Sequence, residues 1–520
     1  MKPFDASGAF RVAIEGDEVR QLGVRSAGVT VLSQALAFGI QLAATVVLAR
    51  LLAPKDFGLL AMVTTSSLLL TSFGLSGFTE AVVQREKIDH FLASNLFWIN
   101  VGAGLLLTVG FAAAGSLLAQ FYRNPGVKSV TVAMSVTIFL SSISVIHLAL
   151  LTRAMRYTAV SANVLLARAV SVAVSILLAW AGWGLWALVA GAVAQALAQS
   201  VGAWTLCRWI PTRPRRVVGT ASMVRFGLGI YARYCLDYFA RNMDNVLVGR
   251  SFGAQSLGFY KKAFDIFVLP ASQLNAPLWH VAVSALSRFK PDSVEYRRYF
   301  LGGLSVLAFV GMGVGADLTL VAKDLIRLLL GPQWEATGRI FMFFGPGIGV
   351  MLLYGTHGWI HVSIGTVDRF FRWGVLELVV TGLMLLLALP WGPAGIAIAW
   401  TAAYWILIIP AFWYAGRPIH LGIAPVLSAV WKYPLASLLA SCATVGVIRA
   451  IPRFIVLPEP VGLLVRIVST SLWFAALYLG AVILLHRGYA PLQQVAALVQ
   501  EMVPWSRFSK LGQESRTDRR

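Results

Sequence analysis

The chain has 520 residues, of which 58% are hydrophobic and only 12% are charged, and its mean hydropathy is +0.75. A typical soluble domain is roughly 45–50% apolar and about 25% charged, so this composition excludes a soluble enzyme. The formal net charge of +21 comes mainly from basic residues in short stretches beside apolar runs. That placement is typical of cytoplasmic loops of membrane proteins and not of a nucleic-acid-binding surface.

Apolar runs of spanning length predict an all-α, polytopic membrane protein with about 14 transmembrane helices. The runs lie at 27–49, 58–83, 91–114, 129–151, 159–182, 184–206, 224–249, 258–287, 299–322, 338–364, 370–391, 394–415, 431–451 and 463–485.

The distribution of basic residues predicts that both chain termini lie in the cytoplasm. With the amino terminus inside, about 26 of the 43 Lys and Arg residues fall in inner connections and about 9 in outer ones. The strongest cytoplasmic loops are 207–223 and 288–298. The first 25 residues hold several acidic groups and no signal-peptide core, and the tail is predicted to carry one short interfacial helix around 491–503.

An internal repeat organises the predicted helices. ARLLAPKDFGLL (49–60) aligns with GRSFGAQSLGFY (249–260) at an offset of 200, pairing Arg50 with Arg250 and Gly58 with Gly258. Six predicted spans separate the copies, so both enter the membrane in the same direction and form a parallel repeat. The predicted organisation is an amino-terminal segment (1–23), an N-lobe of helices 1–6 (24–206), an interlobe loop (207–223), a C-lobe of helices 7–12 (224–415), two additional helices (416–485) and a cytoplasmic tail (486–520).

The seventh predicted span carries four charges on one face of its helix: Arg233, Asp237, Arg241 and Asp244, at spacings of four, four and three. Charged side chains are costly in lipid, so this face must contact a water-filled cavity or another helix. Two interpretations remain open. The charges neutralise one another as ion pairs, or the arginines hold an anionic substrate while a carboxylate binds a proton or cation.

The other charged residues and histidines near predicted spans give weaker evidence for a functional site. Lys261 and Lys262 begin the eighth span, where snorkelling to headgroups competes with ligand contact. His357 and His361 are four residues apart, and without a third ligand nearby a buried, hydrogen-bonded pair is favoured over a metal site. The sequence has no P-loop, GxSxG or HExxH motif, which predicts a protein that is not an enzyme and has no metal or other cofactor.

Four segments resemble the Wzx-type, WzxC-like flippases of the polysaccharide transporter family. They are LARLLAPKDFGLLAMV (48–63), ARNMDNVLVGRSFGAQSLGFYKKAF (240–264), VSALSRF (283–289) and LLLGPQWEATGRI (328–340), and the resemblance covers about residues 20–415. It implies the multidrug/oligosaccharidyl-lipid/polysaccharide superfamily fold, with 12 to 14 helices in two lobes around a cationic cavity. It also implies translocation of undecaprenyl-pyrophosphate-linked oligosaccharide repeat units across the bacterial inner membrane, for exopolysaccharide or lipopolysaccharide biosynthesis.

The resemblance maps onto individual residues. The family's seventh-helix segment corresponds to Arg241, Asn242, Asp244, Asn245, Gly249 and Arg250, and its first-helix end to Ala49, Arg50, Leu52 and Pro54. Whether these residues bind ligand or hold the fold is left open, with a structural role favoured for Arg50 and Arg250. The predicted substrate-binding residues are Arg225, Arg233, Arg241, Asn242, Asn245, Lys261 and Lys262, and the ion-coupling candidates are Asp237 and Asp244.

The resemblance predicts as partners the lipid-linked oligosaccharide, membrane lipid, and polymerase and chain-length proteins of the same pathway, with no nucleic acid.

Two other functions are alternatives to a flippase. An antiporter of cationic drugs would favour an acidic cavity, whereas span 7 holds as many arginines as aspartates. A membrane polymerase or ligase would need a sizeable outer loop, and the longest outer connections here are only about 15 residues long.

Overall fold

The computed structural model describes residues 3–10, 17–85, 88–215, 217, 219–450, 458–489 and 492–493. Within these ranges the chain is helical, and its β-structure is limited to isolated bridges. The interfacial helix predicted around 491–503 lies almost wholly outside the described residues. The α-helices are α1 (Asp17–Leu51), α2 (Pro54–Gln84), α3 (His90–Phe121), α4 (Gly126–Ser142), α5 (Val145–Arg153), α6 (Tyr157–Trp180), α7 (Leu185–Cys207), α8 (Thr220–Leu286), α9 (Val294–Leu330), α10 (Glu335–Gly355), α11 (His357–Ser363), α12 (Val367–Ala388), α13 (Gly392–Gly416), α14 (Ile423–Val430), α15 (Lys432–Ala450) and α16 (Val461–His486).

Ten helical stretches among the described residues are long and apolar enough to cross a membrane. One of them, Val367–Ile419, contains 53 residues and joins α12 to α13 through a short 3₁₀ turn. At about 1.5 Å per residue this stretch is far longer than one crossing of a bilayer core about 30 Å thick. The all-α membrane fold is therefore confirmed, and the predicted number of about 14 crossings is consistent with it.

Helix α8 consists of two helical segments that meet at a kink. It runs over 67 residues, and only Gly253 within it leaves the helical conformation, with φ 78° and ψ −179°. A positive φ of this size is accessible to glycine at little cost because glycine has no Cβ. The break separates the predicted spans 224–249 and 258–287, so the two runs are helices joined at one residue.

The chain divides into two compact units. The first contains Met1–Lys261 with Leu329–Trp334, and the second contains Lys262–Leu328 with Glu335–Arg520. Each unit has its own buried apolar core, around Leu96 and Ile146 in the first and around Phe300 and Tyr433 in the second. The lobes 24–206 and 224–415 inferred from the repeat stay a prediction.

The two copies of the repeat contact each other through their glycines, inside the first unit. A Cβ added to Gly58 would lie 1.7 Å from the carbonyl oxygen of Ala254, and one added to Gly258 would lie 1.9 Å from that of Pro54. Pro54 and Ala254 are themselves equivalent at the offset of 200. The two contacts are therefore reciprocal, as expected for segments related by a local two-fold axis.

The amino-terminal residues pack at the start of α3. The backbone of His90 donates a hydrogen bond to Gly8 O at 2.9 Å, and the buried Phe4 ring contacts the rings of His90 and Trp209. Residues 3–10 and the connection after α7 consequently lie at the same end of the first unit. That this end faces the cytoplasm stays a prediction from the loop charges.

Candidate functional site

The first half of α8 is held on α2 by tyrosines spaced at three and four residues. Tyr231 donates to Leu69 O at 3.0 Å and Tyr238 donates to Thr65 O at 2.9 Å, while the ring of Tyr234 lies between them. Carbonyls of α2 accept these bonds, although such groups already accept within their own helix. The contacts fix the rotation of α8, and with it the direction of its polar residues.

Asp244 is fully buried and hydrogen-bonded. The hydroxyl of Tyr260 donates to Asp244 Oδ2 at 2.7 Å, and the backbone N–H of Asn245 donates to Asp244 Oδ1 at 2.8 Å. Tyr260, also fully buried, lies beyond the break at Gly253. The carboxylate thus joins the two segments of α8, which favours a structural role for Asp244.

The two asparagines of the same motif form a short network. Asn242 Nδ2 donates to Tyr238 O at 2.9 Å, and Asn245 Nδ2 donates to Asn242 Oδ1 at 3.3 Å. The Oδ1 atom of Asn245 is buried without a hydrogen-bond donor. A buried acceptor without a donor is rare in native proteins, so this oxygen marks a position where a cation, a water or a ligand hydroxyl would be stabilised.

The other residues predicted to bind substrate differ in how far they are exposed. Arg225 and Arg241 are exposed, and Lys261 and Lys262 are partly buried. The side chains of Arg233 and Asp237 lie outside the described set, so the four-charge face is seen only through Arg241 and Asp244. The roles assigned to these residues stay predictions.

Arg50, Arg250 and Trp334 make contacts that hold the fold. The buried Trp334 donates through Nε1 to Ala49 O at 2.8 Å, and Arg50 donates through Nε to Leu329 O at 3.3 Å. Arg250 lies over the ring of Phe121, with its guanidinium carbon 5.7 Å from the centroid. These contacts support the structural roles predicted for Arg50 and Arg250.

The histidine pair is buried in the second unit, as predicted. His357 Nδ1 lies 2.5 Å from Tyr354 O, and His361 Nδ1 lies 3.2 Å from Thr366 Oγ1. Within the described ranges, no three His, Cys, Asp or Glu residues come together as metal ligands do.

The sequence did not predict one feature of the first unit, an open groove of about 1060 Å³. Its walls are α3, the connection between α7 and α8, and the first turns of α8, and they include Trp98, Arg215 and Arg225. The run of basic residues after α7 was a signal for a cytoplasmic loop, but no local pattern shows that this loop packs on α3. We call this feature the α3–α8 groove.

Tyr260→Phe tests the structural role of Asp244. The substitution keeps the ring and removes the donor to a buried carboxylate, and hydrogen bonds to charged groups are worth about 1.5–3 kcal/mol. We expect a lower melting temperature of the purified protein, and a smaller decrease for Asp244→Asn, which retains an acceptor. Tyr157→Phe, at an exposed tyrosine, is the matched control. An unchanged melting temperature for Tyr260→Phe would show that this hydrogen bond does not hold the break in α8.

Comparison with known proteins gives matches over most of the chain. Residues 47–338 match the family model described as "Polysaccharide biosynthesis protein". The teichuronic acid biosynthesis protein TuaB of Bacillus subtilis is 24% identical over 68% of this chain and 74% of its own length. The lipopolysaccharide biosynthesis protein WzxC of Escherichia coli is 22% identical over 61% of this chain and 65% of its own length.

Solved structures show the same fold. The lipid II flippase MurJ, in an inward closed conformation, superposes with a TM-score of 0.70 at 14% identity, covering 89% of this chain and 99% of its own. An inward-facing multidrug resistance transporter of the MATE family superposes with a TM-score of 0.58 at 12% identity, covering 75% of this chain and 98% of its own. At these identities the likeness concerns the fold alone.

Proposed function

Because the chain belongs to the polysaccharide biosynthesis protein family, we propose that it is a flippase for lipid-linked oligosaccharide repeat units. The family match over residues 47–338 carries this proposal. It is supported by relatives named for polysaccharide biosynthesis and by a fold shared with a lipid II flippase. The drug-antiporter and polymerase alternatives gain no comparable support.

The proposed substrate is an undecaprenyl-diphosphate-linked oligosaccharide, which moves from the cytoplasmic to the outer leaflet of the bacterial inner membrane. Its diphosphate requires cationic donors, and a guanidinium matches phosphate with two parallel hydrogen bonds. Arg241, which is exposed on α8, suits this role. No bond of the substrate changes during translocation, so the protein needs no nucleophile and no general acid or base.

Asp237 is the proposed coupling group, if an ion gradient drives the movement. Asp244 already accepts hydrogen bonds from Tyr260 and the Asn245 backbone, so we assign it to holding α8 together. When the diphosphate binds the arginines, a carboxylate beside them loses its partner and gains affinity for a proton or sodium ion. By reciprocity, substrate affinity then depends on the concentration of that ion.

Depletion of the protein in its host tests the proposed function. We expect polymer export to stop and the lipid-linked repeat unit to accumulate in the cytoplasmic leaflet, where a membrane-impermeant glycan-modifying reagent cannot reach it from outside. Re-expression of the parent protein should reverse both effects. Continued export, or accumulation in the outer leaflet, would contradict the proposal.

A further inference from the structure

The α3–α8 groove combines two arginines with exposed apolar side chains. Arg215 and Arg225 line it from different walls, and no residue lining it is acidic. Trp98 and Leu228 line it as well and are 43% and 47% exposed. Two cations over apolar surface match a ligand with an anionic head and a hydrocarbon chain.

Arg215 is held in place by a buried amide. Asn95, only 5% exposed, donates through Nδ2 to Arg215 O at 2.6 Å and accepts from Arg215 N at 3.0 Å through Oδ1. The same Nδ2 is 3.3 Å from the hydroxyl of Thr220 at the start of α8. The three walls of the groove are thus connected by one side chain, so the backbone that carries Arg215 is ordered before any ligand binds.

The apolar wall is fixed in a similar way. Trp98 Nε1 donates to Thr212 O at 2.8 Å, which holds the indole ring against the connection after α7. The guanidinium of Arg215 lies 5.0 Å from the ring centroid of Phe91, about two turns before Trp98 on α3. A site whose side chains are already ordered loses less conformational entropy on binding, which favours a specific ligand over general surface attraction.

The position of the groove indicates where its ligand comes from. Loop charges place the connection after α7 in the cytoplasm, and exposed tryptophan beside arginine is typical of the membrane–water interface. A ligand there would keep its hydrocarbon chain in the bilayer, its phosphates at the headgroup level and any glycan in the cytoplasm. Arginines on two walls of one groove suit the two phosphates of a diphosphate.

We propose that the α3–α8 groove docks the diphosphate of the polyprenyl-linked substrate at the cytoplasmic surface, before the substrate reaches the interior of the protein. This inference rests on the proposed function and adds a second anion site to it. Arg215 and Arg225 bind the phosphates, Trp98 and Leu228 contact the first part of the polyprenyl chain, and Asn95 positions Arg215.

Equilibrium binding of radiolabelled undecaprenyl diphosphate to the full chain in phosphatidylcholine nanodiscs tests this inference. The variants are Arg215→Gln, Arg225→Gln and the double variant. Arg213→Gln is the matched control, because Arg213 is an exposed arginine of the same connection that does not line the groove. We expect affinity to fall at least tenfold in the double variant and to stay within twofold of the parent in the control. Melting temperatures, together with partial recovery of affinity in Arg215→Lys, separate loss of the site from loss of the fold.

Three results would overturn the docking site. The first is an affinity of the double variant within twofold of the parent, and the second is an equal loss of affinity in Arg213→Gln. The third is displacement of the probe by phosphatidylglycerol as effectively as by unlabelled undecaprenyl diphosphate. The last result would identify the groove as a general anionic-lipid site. No binding by the parent at all would contradict the proposed function itself, so the two failures are distinguishable.

Discussion

Replacing Gly58 with alanine is expected to leave little folded protein in the membrane. The new Cβ would lie 1.7 Å from Ala254 O, a backbone atom that cannot move away by changing a rotamer. Overpacking of a tight contact costs typically about 1–3 kcal/mol or more, and here two helix starts would have to separate. Gly258→Ala should have the same effect, because its Cβ would lie 1.9 Å from Pro54 O. Membrane abundance and the melting temperature of the purified protein measure the loss.

Gly110→Ala in α3 is the matched control for the glycine contact. A Cβ at Gly110 meets nothing within 4 Å, so the substitution should be neutral or stabilise the helix by about 0.5–1 kcal/mol. Gly58→Ala and Gly258→Ala proteins that accumulate and melt like the parent would show that the two repeat copies do not pack closely.

Arg241→Ala is expected to abolish polymer export while the amount of protein in the membrane stays normal. Arg241 is exposed, and ionic contacts of exposed side chains contribute only about 0–1 kcal/mol to folding, so its loss should affect the substrate and not the fold. Arg241→Lys keeps the charge but not the fork-shaped donor set, and should retain partial export. Export of the polymer and immunoblotting of membranes, in cells that lack the parent protein, give the two readouts.

Arg213→Ala, outside the span, serves as the control and should export normally. Normal export by Arg241→Ala at normal abundance would remove Arg241 from the substrate site. Disappearance of the variant protein from the membrane would instead favour the ion-pair interpretation, because removing one partner of a buried pair costs about 3–5 kcal/mol.

The all-α membrane fold could be predicted from the sequence because lipid requires long uninterrupted apolar helices, and these are visible in composition. The repeat could be aligned at Gly58 and Gly258 because each glycine lies a few residues after a break between two helical segments. The alignment contained no information on distance, however. That the two glycines face each other depends on the packing of helices about 200 residues apart in sequence.

The candidate site was predictable only where its contacts are local. Helical spacing placed Arg241 and Asp244 on one face of a helix, but it did not show that Asp244 binds Tyr260, because the break at Gly253 redirects the chain between them. The α3–α8 groove depends on the hydrogen bond from Asn95 to Arg215, across 120 residues. Such pairs leave no periodic signal in either segment, so only the folded chain shows them.

Reconstitution into liposomes measures the proposed flippase activity itself. Purified protein is placed in liposomes that carry an undecaprenyl-diphosphate-linked oligosaccharide in both leaflets, and the fraction of substrate accessible to an added membrane-impermeant glycosidase is followed with time. We expect the parent protein to make the inner-leaflet substrate accessible, whereas Arg241→Ala protein at equal density should leave about half of the total substrate protected. Substrate that stays protected with the parent protein, or that becomes accessible equally fast in protein-free liposomes, would show that the protein is not a flippase for this substrate.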